Sequence, residues 1–157
     1  MKIEYINPFV DSVSTILSEM LKADARRGEM YVKTTTTPIP GVAAIVGLSG
    51  DLTGRVLYGM SEQTALAISS DMNMADMSLL DDEVKASLKE LAGLISGQAI
   101  TFLKELGISA ASGLPVIIAG KNLEVFDPGI EALICSVETR QGTIQINVAV
   151  EEMSPGT

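Results

Sequence analysis

The sequence predicts an α+β fold: about three helices packed on a mainly antiparallel sheet of about six strands, in the order α-βββ-αα-βββ. Three observations predict it. Three segments repeat apolar residues at helical spacing, and about six short runs are rich in β-branched residues or alternate apolar with polar. Tight-turn sequences, SGDLTG and RQG, join neighbouring runs as hairpins, which makes those neighbours antiparallel. No stretch of linker composition interrupts the chain, so a single domain over residues 1–157 is expected, long enough to bury about 70% of its unfolded surface.

The elements follow in order. INPFVDSVSTILSEMLKA starts with Asn7 as a cap and Pro8 at the first helical position, and its apolar residues recur at 9, 13, 16 and 20 and at 10, 17 and 21. This helix is expected to end near Gly28. EMYVKTTTT reads as the first strand, closed by Pro38, Pro40 and Gly41. VAAIVGLSGDLTGRVLYGM gives two strands around a turn at Gly50, Asp51 and Gly54. SEQTALAISSDMN is a short helix capped by Ser61, and Asp81 or Asp82 caps a long one. LPVIIAG, IEALICSVETR and GTIQINVAVEE supply the last three strands. The two strand trios hint at an internal duplication, for which shared secondary structure alone is poor evidence.

Composition restricts the chemistry. Hydrophobic residues make up 46% and charged residues 20%, and no apolar run is long enough to span a bilayer. MKIEYINPFVD lacks the features of a secretory leader, so a cytoplasmic location is expected. Cys135 is the one cysteine; it forms no internal disulfide or thiolate metal site, and reads as a buried thiol with a reactive thiol as the alternative. There is no histidine, which excludes Ser-His-Asp and Cys-His catalysis and the usual zinc sites. A net charge of -9 repels phosphate backbones and anionic lipid, so no nucleic acid and no membrane is expected as partner. A protein or a small molecule is expected instead.

Several constellations have ordinary explanations. Asp81, Asp82 and Glu83 could hold Mg²⁺, but acids at a helix start usually cap it and complement its dipole. GLSGDLTG has the glycines of a phosphate loop without its GK[ST] ending, and a strand follows it. The eight methionines are scattered. TTTT at 34–37 is a strand end, or an edge for pairing with another chain.

The long helix is more informative. Val84, Leu88, Leu91, Ile95, Phe102 and Leu106 fall on one side, the expected core face. Opposite, at about 100° per residue, lie Glu83, Ala86, Glu90, Gly93, Gly97, Thr101 and Lys104. The middle of that stripe is short side chains around one carboxylate, where a solvated face would normally carry long charged residues. Each interior glycine costs about 1 kcal/mol relative to alanine. Gly93 and Gly97, in GxxxG spacing, leave room for another backbone to come close. The alternative is that they serve packing within the molecule or have drifted there.

INPFVDSV, GLSGDLTGRVLYGMSEQTALAIS and DEVKASLKELAGLISGQA together resemble the CheX branch of the CheC/CheX/FliY family of chemotaxis phosphatases, in the family's order. The resemblance implies removal of the phosphoryl group from the aspartyl phosphate of a CheY-like response regulator. It implies no cofactor of its own, with Mg²⁺ carried by the response-regulator partner. The family's working stripe is Asp or Ser, then Glu four residues on, then Asn three further. The Glu is thought to contact a lysine of the regulator, and the Asn to orient the attacking water. Carried onto this chain, the glutamate is Glu90, the Asp/Ser position is Ala86, and the Asn position is Gly93. Only Glu90 matches. Gln98 is no substitute, because it lies five residues beyond position 93 and is rotated by roughly 140°. Ser87 is displaced as well.

Three readings stay open on sequence. One is an aspartyl-phosphate phosphatase with impaired hydrolysis, for which Glu90 is the catalytic candidate and Ala86, Glu90, Gly93 and Gly97 the partner-binding stripe. The second is a non-catalytic module that binds a receiver, and the third an unrelated domain that binds a small molecule. The resemblance also implies a homodimer through a continuous sheet, for which EMYVKTTTT and GTIQINVAVEE are the expected edges.

Overall fold

A computed structural model describes residues 2–22, 24–33, 36–126 and 129–153. After a short 3-10 turn at Ile3–Tyr5 come helix α1 (Asn7–Leu21) and strands β1 (Ala25–Lys33), β2 (Thr37–Ile39), β3 (Val42–Gly50) and β4 (Leu52–Met60). Helices α2 (Glu62–Asn73) and α3 (Asp82–Glu105) follow, then β5 (Ala110–Ser112), β6 (Val116–Ala119), β7 (Leu123–Val125), β8 (Ala132–Thr139) and β9 (Gly142–Glu152). The α+β class, the three helices and the element order are as expected. The six long runs are all strands; three short strands, β2, β5 and β7, are additional.

The main sheet has seven strands in the order β1-β8-β9-β4-β3-β5, with β6 also paired to β3, and every pairing is antiparallel. β2 and β7 form a separate two-stranded sheet. Alternation along the strands assigns the faces. Val42, Ala44, Val46 and Leu48 of β3, Val56 and Tyr58 of β4, Leu133 and Cys135 of β8, and Ile146 and Val148 of β9 share one core with the three helices. On the other face, Ala43 and Leu57 pack with Ile39 of β2.

Three local expectations need correction. Helix α1 stops at Leu21, with Lys22 left-handed (φ 50°), well before Gly28. Beyond Leu21 the stripe offers no large apolar residue before Gly28, and pairing of Ala25–Lys33 with β8 prevails. Gly28 lies at the bulge in that ladder, where a Cβ would approach the Ser136 carbonyl oxygen at 3.0 Å. Asn7 is the first residue of the helix and not its side-chain cap; its Oδ1 accepts a 2.6 Å hydrogen bond from Arg27 Nη2. Pro38 lies inside β2 and does not close the first strand, and Thr34 and Thr35 lie outside the described residues.

GTIQINVAVEE is not an edge. β9 lies between β4 and β8, and its run from Ile146 to Val150 is buried without a break. Low charge there reflects burial of both faces, the signature of a central strand. β1 is an edge, as expected.

The remaining caps match. Ser61 Oγ accepts from Thr64 N at 3.1 Å, and Asp81 Oδ1 accepts from Val84 N at 3.0 Å. Asp81 therefore acts as a helix cap. Cys135 is buried, its Sγ near backbone carbonyls of Gly28 and Ser136.

Candidate functional site

Helix α3 is fixed to the sheet by one face. Val84, Leu88, Leu91, Ala92, Ile95, Ala99 and Leu103 are buried, and the Tyr58 hydroxyl meets Ser96 Oγ at 2.7 Å inside the core. Burial pushes the Tyr58 hydroxyl well above its ordinary pKa, although the Ser96 hydrogen bond opposes the shift. Phe102 and Leu106 depart from the expected core face. Phe102 is only half-buried and Leu106 is 56% exposed, because Leu106 follows the last helical residue and the face closes through Ala99 and Leu103.

The opposite stripe is open. Glu83, Ala86, Glu90, Gly93, Gly97, Thr101 and Lys104 are all exposed. A Cβ built at Gly97 would meet nothing within 4 Å, and one at Gly93 would meet only Pro115 Cγ at 4.0 Å, an ordinary van der Waals contact. Neither glycine is needed to avoid a clash within the molecule. Packing inside the fold therefore does not account for the GxxxG spacing.

The two alternative polar residues are accounted for. Ser87 is buried, accepts from Asn73 Nδ2 at 2.8 Å and donates to the Glu83 carbonyl at 3.1 Å. It ties α3 to α2 and does not face outward. Gln98 is half-buried, off the stripe. Thr101 Oγ1 donates back to the Gly97 carbonyl at 3.2 Å.

Sequence reasoning missed the apolar part of this surface. Leu94, four residues after Glu90 and three before Gly97, is 41% exposed within the stripe. Its spacing from Glu90 was a usable signal. The segment 113–115 between β5 and β6 brings Pro115 beside Gly93, with Leu114 and Val116 exposed at 87% and 58%. No helical period could have revealed that neighbour, since the tertiary fold places it there.

Among the described residues no group of three His, Cys, Asp or Glu side chains is placed to hold a metal ion. None of their helices is long and apolar enough to cross a membrane.

The family model for the chemotaxis phosphatase CheX matches residues 42–138, more than half of the chain and all of α3. The CheY-P phosphatase CheX of Thermotoga maritima is 21% identical over 131 residues, which is 83% of this chain and 84% of that protein. A chemotaxis protein CheX from Desulfovibrio desulfuricans is similar in structure with a TM-score of 0.86 at 26% identity, over 95% of this chain and 100% of that one. The CheX of Borrelia burgdorferi, solved as a CheX-CheY-BeF3-Mg²⁺ complex, is 32% identical with a TM-score of 0.79, over 96% of this chain and 100% of that one.

Proposed function

Because the chain belongs to the chemotaxis phosphatase CheX family, we propose that it docks onto a phosphorylated CheY-like response regulator through the outward stripe of α3, with hydrolysis of the aspartyl phosphate impaired at Gly93. The observation that carries this reading is the open stripe itself. Ala86, Glu90, Gly93 and Gly97 face away from the core, and neither glycine is held there by an internal contact. The complex of the Borrelia burgdorferi relative with CheY supports a receiver as the partner class.

Each residue then has a physical role. Glu90 offers an exposed carboxylate to a cation on the receiver, and Leu94 supplies apolar contact beside it. Ala86, Gly93 and Gly97 keep the surface shallow enough for close approach. An asparagine amide could both donate and accept hydrogen bonds, and so orient a water without adding negative charge near a phosphoryl group. Position 93 has no side chain to do so. The attacking water must be positioned by another group or by the receiver, and Mg²⁺ is assigned to the receiver.

The absence of an amide at position 93 also favours a second reading, a non-catalytic module that binds the receiver and leaves its phosphate intact. A phosphate-release assay paired with a binding titration separates the two. Binding with a modestly shortened phosphate lifetime supports impaired hydrolysis; binding with an unchanged lifetime supports the module; absence of binding contradicts both. A homodimer through the β1 edge accompanies the proposal, since β1 is the anticipated edge that remains available on the sheet.

A further inference from the structure

At the far end of α3 from Glu90 lies a second surface that the receiver reading does not use. A groove of about 420 Å³ runs between the start of α1 and the end of α3. Pro8, Phe102 and Leu106 give it apolar material, and Glu4, Asp11 and Glu105 are exposed along it. Phe102 and Leu106 occur at spacings that continue the core face of α3, yet the fold leaves one half-buried and the other mostly exposed. Apolar residues in core register without a cover are a place for something else to pack.

The charge around them indicates what that is. Three carboxylates line the groove and no lysine or arginine does. Two nearby cations touch the lining at one end, through Glu4 and the neutral Asn7, and leave Asp11 and Glu105 without an ion pair among the described residues. Lys2 is shared between Glu4 at 4.0 Å and Glu152 at 3.6 Å, both exposed and weak. Arg27 bonds Asn7, a neutral residue of the lining, at 2.6 Å, and exposed Lys104 belongs to the outward stripe.

We propose that the groove between the start of α1 and the end of α3 seats a basic amphipathic segment of a partner protein. Lysine and arginine suit it best, because their aliphatic stems can lie along Phe102 and Leu106 while the charged heads reach Glu105, Asp11 and Glu4. An arginine head over the Phe102 ring would add a cation–π contact. Glu90 and Glu105 are 15 residues apart on the helix, roughly 22 Å at 1.5 Å per residue. The groove therefore lies beyond the partner-binding residues Ala86, Glu90, Gly93 and Gly97.

The test uses the full chain, ¹⁵N-labelled, and two short helix-forming peptides. Both carry leucines at helical spacing; one has lysine and arginine flanks, and in the other these are glutamate. The basic peptide should bind at least about tenfold more tightly at low salt, with shifts confined to residues 4–11 and 102–108. Leu106→Ser and Glu105→Lys should each weaken it about tenfold, and both positions are exposed enough to leave folding intact, which circular dichroism checks. Glu90→Ala should leave peptide binding unchanged. Equal binding of the two peptides, shifts elsewhere, or indifference to both groove variants would overturn the proposal. So would concentration-dependent shifts at Leu106 without peptide, which would give the groove to a second copy of this chain.

Discussion

Replacing Gly93 with asparagine should raise dephosphorylation of a cognate phosphorylated receiver. The structure sets the cost of the change. A Cβ at position 93 meets only Pro115 Cγ at 4.0 Å, on an exposed turn of α3, so the substitution introduces no clash. Asparagine is also the better helix former by a few tenths of a kcal/mol, so the fold should be kept or slightly stabilised. The gain comes from one amide placed to orient water, and a single well-placed hydrogen-bonding group is worth on the order of 10²-fold in rate. About tenfold or more is therefore expected, allowing for imperfect placement. The assay is the lifetime of the receiver's phosphoryl group with wild type, Gly93→Asn, Gly93→Asn with Glu90→Ala, and Gly93→Asn with Gln98→Ala. Glu90→Ala should remove the gain by weakening binding, and Gln98→Ala should change little because Gln98 is half-buried off the stripe. If wild type shortens the lifetime as much as Gly93→Asn does, the reasoning about a missing amide is refuted.

Gly97→Leu should stabilise α3 by about 0.5–1 kcal/mol, since leucine is a much better helix former than glycine and a Cβ at position 97 meets nothing within 4 Å. It should also weaken receiver binding about tenfold; a urea titration and a binding curve read the two effects, and unchanged binding would remove Gly97 from the interface. Tyr58→Phe should cost about 1–2 kcal/mol, because it leaves the buried Ser96 hydroxyl without its partner. Burial raises the Tyr58 pKa in the folded protein, so its neutral form contributes stability that is complete below the unfolded value of about 10 and is lost as pH rises beyond it. Tyr58→Phe should accordingly flatten the alkaline fall in denaturation midpoint, and an unchanged slope would contradict this. Sedimentation at micromolar concentration should give a dimer, and a proline at Tyr31, which lies in the β1 edge, should shift it toward monomer; a wild-type monomer would contradict the edge pairing.

The parts of the fold governed by local pattern were legible in the sequence. The Ser61 and Asp81 caps, the hairpin at Asp51 and the core register of Val84, Leu88, Leu91 and Ile95 each depend on residues within a few positions of one another. Features set by long-range pairing were not. β9 reads like an unprotected edge because its charge is low, whereas β4 and β8 take up both its edges and its charge is low because both its faces are buried. The end of α1 was misplaced for the same reason, since pairing with β8 decides where the helix yields to a strand. At the candidate site, helical spacing located the outward face of Glu90, Gly93 and Gly97. It could not supply Pro115, which reaches α3 only through the β5–β6 connection.

Whether the α3 stripe docks a receiver is tested by one titration. A CheY-like receiver is added with BeF3 and Mg²⁺, and separately without them, to ¹⁵N-labelled protein while backbone amide shifts are followed. The activated receiver should bind more tightly, the shifts should centre on residues 86–101 and 113–116, and Glu90→Ala should weaken the complex. Binding that leaves the amides of Glu90, Gly93 and Gly97 unperturbed, or no binding to either form, would contradict docking through the stripe.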